Sequence, residues 1–341
     1  MVKYALITGI SGMDGGNLAS YLLEKGYKIV GIIRRASLFN LSRLNAIRDQ
    51  IELVYGDMTD TSSLNNVLSN IKKQMDEEHD TLEIYHLAAM SHVGISFKIP
   101  EYTAQVTSVG LVNLLEAVRN QDMTEYAKIY NASTSEMFGN QPAPQDEYTL
   151  FDPKSPYAAA KVFAHNMCDI YRDSYEMFIC SGILFNHSGC QRGENFILRK
   201  IAMGVSKYFK DQTILELGNL NAKRDIGASK DYVRGMWMML QQQEPDNYVL
   251  STGIQYTIRE FVAMAFSCID LTITWKGRGL DEVGFDQFGN TIVKINPKYF
   301  RPNEVENLLG NSTKAQKELN WFPEITTIEL LKEMVDRELN N

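Results

Sequence analysis

The 341-residue sequence predicts an α/β fold, a doubly wound parallel sheet carrying a smaller, interleaved C-terminal lobe. Three observations carry this expectation. Short apolar runs of strand length alternate with longer amphipathic runs through the first half, and a glycine-rich turn follows the first of those runs directly. After about residue 186 the alternation gives way to loops rich in Gly, Arg and Asn.

In chain order, the expected strands cover residues 4–8, 29–33, 51–55, 84–87, 129–132 and 178–184. Runs such as YALIT and IVGII are nearly continuous in apolar residues. A strand buried on both faces reads this way, whereas a half-exposed antiparallel strand alternates apolar with polar. The charged run KKQMDEEHDT at 72–81 is read as a solvated extension between a helix and the next strand. A further strand at 248–251 is expected to return to the sheet. Residues 1–185 with that strand therefore form the sheet domain, and residues 186–341 mainly form the second lobe.

Hydrophobic residues make up 44% and charged residues 22%, the balance of a globular chain with no disordered tract. A formal net charge of -8 argues against nucleic acid as a partner, because phosphate-backbone binding is driven by clusters of Lys and Arg. Cys168, Cys180, Cys190 and Cys268 are widely spaced with no C-x-x-C pair, so neither a metal site nor a disulfide framework is signalled, and reduced thiols in the cytoplasm are expected. No apolar run reaches the roughly 18 residues that a membrane span needs, and MVKYALITG reads as a strand from the outset rather than a leader.

TGISGMDGG sets Gly9, Gly12 and Gly15 between the first strand and the first helix. Glycine there lets the backbone turn tightly and approach a pyrophosphate, while the free N–H groups of the helix face the anion. The second strand runs into Arg34 and Arg35, with Ser37 close by, where NAD-preferring enzymes carry a carboxylate for the ribose 2'-hydroxyl. Two cations there favour a 2'-phosphate, so the expected cofactor is NADP. Asp57, after the third strand, is placed to bond an adenine amino group or else to cap the helix beginning near Thr61.

Tyr157 and Lys161 in SPYAAAK share one helix face. A unit charge about 4 Å from a phenol, at an effective dielectric of about 20, is worth about 4 kcal/mol, or roughly three pKa units off a value of about 10. Lys161 and a nicotinamide charge are therefore expected to ready Tyr157 near neutrality. Tyr21 and Lys25 in YLLEK repeat the spacing, but only Tyr157 follows a strand that delivers Thr134, Ser135 and Glu136 to the carboxyl edge of the sheet, where such folds bind ligands.

TGISGMDG, RRAS, LAAMSHV, ASTSEMFG, SPYAAAK, GILFNH, RGENFILRKI and YFRPNEVENLLG together resemble the GDP-mannose 4,6-dehydratases over nearly the whole chain. The resemblance implies a Rossmann-type NADP domain, GDP-mannose as substrate and a homodimer or homotetramer. It implies Thr134, Glu136 and Tyr157 as catalytic residues, with Lys161 supporting them. It implies a cofactor wall that includes Asp14, Met58, Leu87, Ala88, Ala89, Ser91, Tyr102, Lys161, His187 and Arg192. Ser91, Asn186, Lys200, Arg224, Arg301 and Glu304 are the implied substrate contacts. The implied chemistry is oxidation at C4 of the sugar, loss of water across C5 and C6, and return of hydride to C6. Another NADP-dependent nucleotide-sugar dehydratase, epimerase or reductase is the alternative, and Glu136 argues against the last two. A non-catalytic NADP sensor is the reading from a different class, and it has no use for Tyr157, Lys161 and Glu136 together.

Overall fold

A computed structural model describes residues 2–37, 40–76, 79–300 and 303–341. Six strands of the first half, β1 (Lys3–Thr8), β2 (Lys28–Ile33), β3 (Glu52–Tyr55), β4 (Thr81–His86), β5 (Ala127–Thr134) and β6 (Phe178–Leu184), lie in one sheet in the spatial order β6-β5-β4-β1-β2-β3. The strand Asn247–Leu250 adds to the free edge of β6, giving seven strands, and every pairing between neighbours is parallel. This is the expected doubly wound sheet.

Apolar packing explains why both faces are covered. On one face, Leu6, Ile84 and Ile129 pack with Leu64, Val67 and Leu68 of the helix α2 (Thr61–Gln74) and with Leu111, Leu114 and Leu115 of the helix Gly110–Asn120. On the other, Ala5, Ile7 and Tyr130 meet Leu18 and Leu22 of the helix α1 (Met13–Glu24) and Met236 and Met239 of the helix Ser229–Leu240. Strands with helices on both faces have no solvated side, and β1 is accordingly buried at every position after Lys3.

The chain order reverses between β1 and β4, which lie side by side while β2 and β4 run to opposite edges. In an open parallel sheet that switch point opens a crevice at the carboxyl ends of the strands. A separate apolar core, with Ile201, Val205, Phe261, Phe266, Leu331 and Met334, joins the helices Ile197–Asp211, Ile258–Ser267 and Thr327–Asn340. It is flanked by two four-stranded sheets, one built on Lys223–Ala228 and one that includes Leu215–Leu217 and Thr291–Ile295. The charged run at 72–81 begins inside α2, which extends to Gln74, and its Glu77 and Glu78 lie outside the described residues.

Candidate active site

The crevice is a cavity of about 1840 Å³, well above the roughly 300–1,000 Å³ of a site for one small ligand, and large enough for a dinucleotide and a nucleotide sugar together. Its floor is the glycine turn. Gly9 sits at φ +73, and a Cβ there would lie 2.9 Å from Ala88 N. A Cβ on Gly15 would lie 2.4 Å from Gly9 O, so the helix can start this close to β1 only without one. Gly12 N donates to Gly9 O at 2.9 Å and closes the turn. Gly12 then caps α1 without a side-chain acceptor, which leaves the N–H groups of the first turn for an anion.

Opposite the turn, Thr8 Oγ1 accepts from Leu87 N and Ala88 N, both at 3.1 Å, and holds the Leu87–Ala89 segment against β1. Arg34 lines the cavity and donates to the Tyr102 hydroxyl. Asp57 lines it too, with Oδ1 accepting from Thr59 N and Thr59 Oγ1 at 2.9 and 2.8 Å. The cap of α2 is Asp60, not Asp57: it accepts from Ser63 N at 3.3 Å. Met58, Ala89 and Ser91 complete this wall. Arg35 and Ser37 are exposed and do not line the cavity, and Arg35 donates to Ala36 O.

The catalytic candidates are delivered by two helix starts. β5 ends at Thr134, whose hydroxyl accepts from Glu136 N at 3.3 Å and caps the short turn Ser135–Phe138. Ser155 caps the helix Pro156–Tyr175 by accepting from Ala158 N at 3.1 Å, with Pro156 pre-set for the first helical position. Tyr157 therefore falls in the first turn and Lys161 one turn later on the same face. Thr134, Glu136, Tyr157 and Lys161 all border the cavity, and all four are buried.

Burial dominates the electrostatics of the pair. Burial pushes the Tyr157 phenol up to about 12; the Thr134 hydrogen bond lowers it, Glu136 raises it, and Arg192 lowers it. Lys161 Nζ donates to Ala132 O at 2.6 Å, and burial pulls the ammonium down to about 8. The protein groups alone therefore do not bring Tyr157 near neutrality. Desolvation, which the point-charge argument left out, outweighs the Thr134 hydrogen bond and the Arg192 charge.

His187 and Arg192 reach the cavity from the segment after β6. His187 Nε2 lies 2.9 Å from Oδ2 of Asp14, which is in the first turn of α1. Asn186 also lines the cavity, and its buried Oδ1 has no partner among the described residues. The glycine cradle, the uncapped helix start and this spare acceptor fit a dinucleotide.

Lys200, Arg224 and Glu304 line the far side. Arg224 Nη2 pairs with Glu304 Oε1 at 2.9 Å, so the two implied substrate contacts bind each other. The Lys200 ammonium lies 3.0 Å from the Tyr299 ring centroid, and burial, then Lys298, pulls it down to about 8. Arg301 lies outside the described residues.

Sequence reading missed Tyr299 and Lys298, which precede Arg301 and line the same wall, and Arg43. Arg43 Nη1 donates to Ser11 O at 3.1 Å and its Nε to Gln191 O at 2.8 Å, bracing the glycine turn. The only signal for it was a third arginine in RRASLFNLSR.

The sequence profile of the family described as GDP-mannose 4,6 dehydratase matches residues 6–334. GDP-mannose 4,6 dehydratase 2 of Caenorhabditis elegans is 49% identical over 99% of this chain and 89% of its own. Among solved structures, the dTDP-glucose 4,6-dehydratase DesIV of Streptomyces venezuelae, with NAD and TYD bound, superposes with a TM-score of 0.81 at 20% identity, covering 99% of this chain and 97% of its own. RMD of Pseudomonas aeruginosa, in complex with NADPH, superposes with a TM-score of 0.75 at 19% identity, covering 99% of both chains. At those identities the two structures bear on the fold.

Proposed function

The chain belongs to the GDP-mannose 4,6-dehydratase family, and we propose that it converts GDP-mannose to GDP-4-keto-6-deoxymannose with a recycled NADP. The observation that carries the reading is the grouping of Glu136 with Thr134, Tyr157 and Lys161 on one wall of the cavity. A hydride shuttle needs only a proton acceptor for the sugar hydroxyl. A buried carboxylate beside it, as a second acid–base group, is what elimination of water requires.

Tyr157 accepts the proton of the sugar 4-hydroxyl, with the Thr134 hydroxyl bonding the oxygen that becomes the ketone. Glu136 then removes the acidified C5 proton and passes a proton to the departing 6-hydroxyl, which leaves as water. Bound NADP supplies the hydride acceptor at C4, the hydride donor at C6 and, while oxidised, a positive ring that lowers the Tyr157 phenol. Its dinucleotide would lie across the glycine turn and Leu87–Ser91, with Arg34, Arg35 and Ser37 at the 2'-phosphate end. In this reading residues 1–185 with 248–251 hold the cofactor and residues 186–341 mainly hold the substrate.

Phe163 and Ile170, seven residues apart on the helix Pro156–Tyr175, and Val109 on the neighbouring segment are exposed apolar side chains, which supports a homodimer or homotetramer. The four cysteines are free, which supports a reducing cytoplasm. No helix among the described residues is long and apolar enough to cross a membrane.

The test uses GDP-mannose deuterated at C4 with the enzyme and catalytic NADP. The label should appear at C6 of the same molecule with little crossover into unlabelled substrate, and NAD should serve less well. Label returned to C4 would indicate an epimerase, and label released in free NADPH would indicate a simple dehydrogenase. Either result overturns the reading.

A further inference from the structure

The end of β5 is tied to the helix Pro156–Tyr175 at two successive residues. Lys161 Nζ donates to Ala132 O at 2.6 Å, and one turn further along the same helix face His165 Nδ1 lies 2.9 Å from Ser133 Oγ. The next residue on the strand is Thr134. The far side of the buried imidazole fixes how it bonds. Arg172 Nη2 donates to Asn247 Oδ1 at 2.8 Å, so the Asn247 amide turns its nitrogen toward Asp169 Oδ1, at 3.0 Å, and His165 Nε2, at 3.4 Å. An amide nitrogen donates and does not accept, so Nε2 is the accepting nitrogen and Nδ1 carries the proton that goes to Ser133 Oγ. Burial favours this neutral ring; the Asp169 charge opposes it and the Arg172 charge supports it. Phe151 meets the imidazole edge-on at 5.2 Å. Ser133 is itself held within the sheet by Asn131 Nδ2, which donates to its Oγ at 3.2 Å.

We propose that His165 is a positioning residue for the catalytic group: through Ser133 it fixes the rotation of the helix Pro156–Tyr175 against β5, and with it the reach from the Tyr157 phenol to the Thr134 hydroxyl. The proposal rests on reading Thr134 and Tyr157 as the catalytic pair. One bond from a long lysine side chain lets the helix turn about that point, whereas two bonds a turn apart hold it. Tyr157 lies two turns before His165 on the same helix face, so a rotation there moves the phenol directly. The support of the ring is anchored outside its own helix. Asn247 opens the strand Asn247–Leu250, and Arg172 also donates from Nε and Nη2 to Ile179 O on β6, at 3.0 and 2.8 Å. His165 does not line the cavity, but Ser133 does, so the histidine acts on the site only through its neighbour. Such indirect control matters because a misplacement of about 1 Å costs up to about 10²-fold in rate.

Paired substitutions in the full chain test this. Asparagine carries its amide nitrogen on Cγ, as histidine carries Nδ1, and can still donate to Ser133. Glutamine carries its nitrogen one carbon further out, on the side of Nε2 and away from Ser133. Both lose the ring and its contact with Phe151, so both should lower the melting temperature by similar amounts. In steady-state conversion of GDP-mannose, His165→Gln should lower kcat about ten-fold with KM within a few-fold, and His165→Asn should stay within about two-fold of the wild type. Ser133→Ala, which leaves the ring in place, should lose kcat as His165→Gln does, and combining the two should cost little more. Equal kcat for the Asn and Gln variants, or wild-type kcat for Ser133→Ala, overturns the proposal, because His165 would then only fill space. Crystal structures of the wild type and His165→Gln give a reading without turnover. The separation of Tyr157 Oη from Thr134 Oγ1 should grow by about 1 Å in the variant, and an unchanged separation also overturns the proposal. Wild type that does not convert GDP-mannose counts against the activity instead, and the two structures then decide the positioning alone.

Discussion

The chain carries the spacing Y-x-x-x-K twice on helices, and the two copies have different surroundings. Tyr21 and Lys25 lie on α1, where the Lys25 ammonium sits 3.8 Å from the Trp237 ring centroid and 4.7 Å from that of Tyr21, and the two rings meet edge-on at 6.0 Å. Lys25 is exposed. Tyr157 and Lys161 are buried at the cavity, and Lys161 bonds a β5 carbonyl. The spacing puts both residues on one face in each case, but it says nothing of what that face meets. The difference is the turn of the helix in which the tyrosine falls. Tyr157 is in the first turn, at the carboxyl edge of the sheet, whereas Tyr21 is the ninth residue of α1, about 12 Å along the axis from the start of that helix.

The strongest way to break the comparison is to remove each phenolic oxygen. Tyr157→Phe leaves no group to accept the 4-hydroxyl proton, and kcat should fall by roughly 10²–10⁴ while KM stays within a few-fold, since proton transfer and not binding is lost. Steady-state conversion of GDP-mannose measures this. Turnover near that of the wild type would leave the two copies chemically equivalent.

What could be read in advance follows the same division between local and distant causes. β1, β2 and β6 were legible because their side chains are nearly all apolar, with Lys3, Thr8, Lys28 and Ser181 the polar exceptions. β4 begins at Thr81, before its apolar run, because Glu83 is hidden within it, its carboxylate accepting from Tyr27 at 2.8 Å and Tyr85 at 2.6 Å. β5 runs beyond 132 because Ser133 and Thr134 are buried polar residues on the strand. At the site, the glycine turn and the Tyr157–Lys161 spacing depend on neighbours in sequence and were visible. The Asp14–His187 contact joins residues 173 apart, and the desolvation of Tyr157 comes from the whole wall around it, so neither leaves a trace in any one segment. On composition Asp57 is a possible cap for α2, but Asp60 stands directly before the helix and takes that place, while Asp57 turns its carboxylate to Thr59.

A smaller effect sharpens the contrast between the lysines. Burial pulls Lys161 down to about 8, while an unfolded lysine keeps its proton to about 10.4. Between those values the unfolded chain binds a proton that the folded chain has released, so this group makes stability rise with pH. Methionine at 161 has no proton to release. The stability difference between wild type and Lys161→Met, from urea unfolding at a series of pH values, should therefore move in favour of wild type as pH climbs from about 8 to 10. A difference that stays level would place Lys161 in water-like surroundings and erase its distinction from an exposed lysine.

The smallest effect is expected at the first copy. Lys25→Met removes a cation held over two rings, an arrangement worth about 0.5–1 kcal/mol at an exposed site, so the melting temperature should drop by about 1–2 °C in a chain of this length. Tyr21→Phe keeps the ring that packs edge-on to Trp237 and loses only a hydroxyl, so its change should be smaller still. Neither variant should alter turnover, because α1 serves the cavity through its first turn and Tyr21 lies two turns further on. Calorimetry and steady-state kinetics on the same preparations separate the two outcomes. If either substitution lowered kcat ten-fold without lowering the melting temperature, the first copy would have a part in the chemistry, and helix position would not be what distinguishes the pairs.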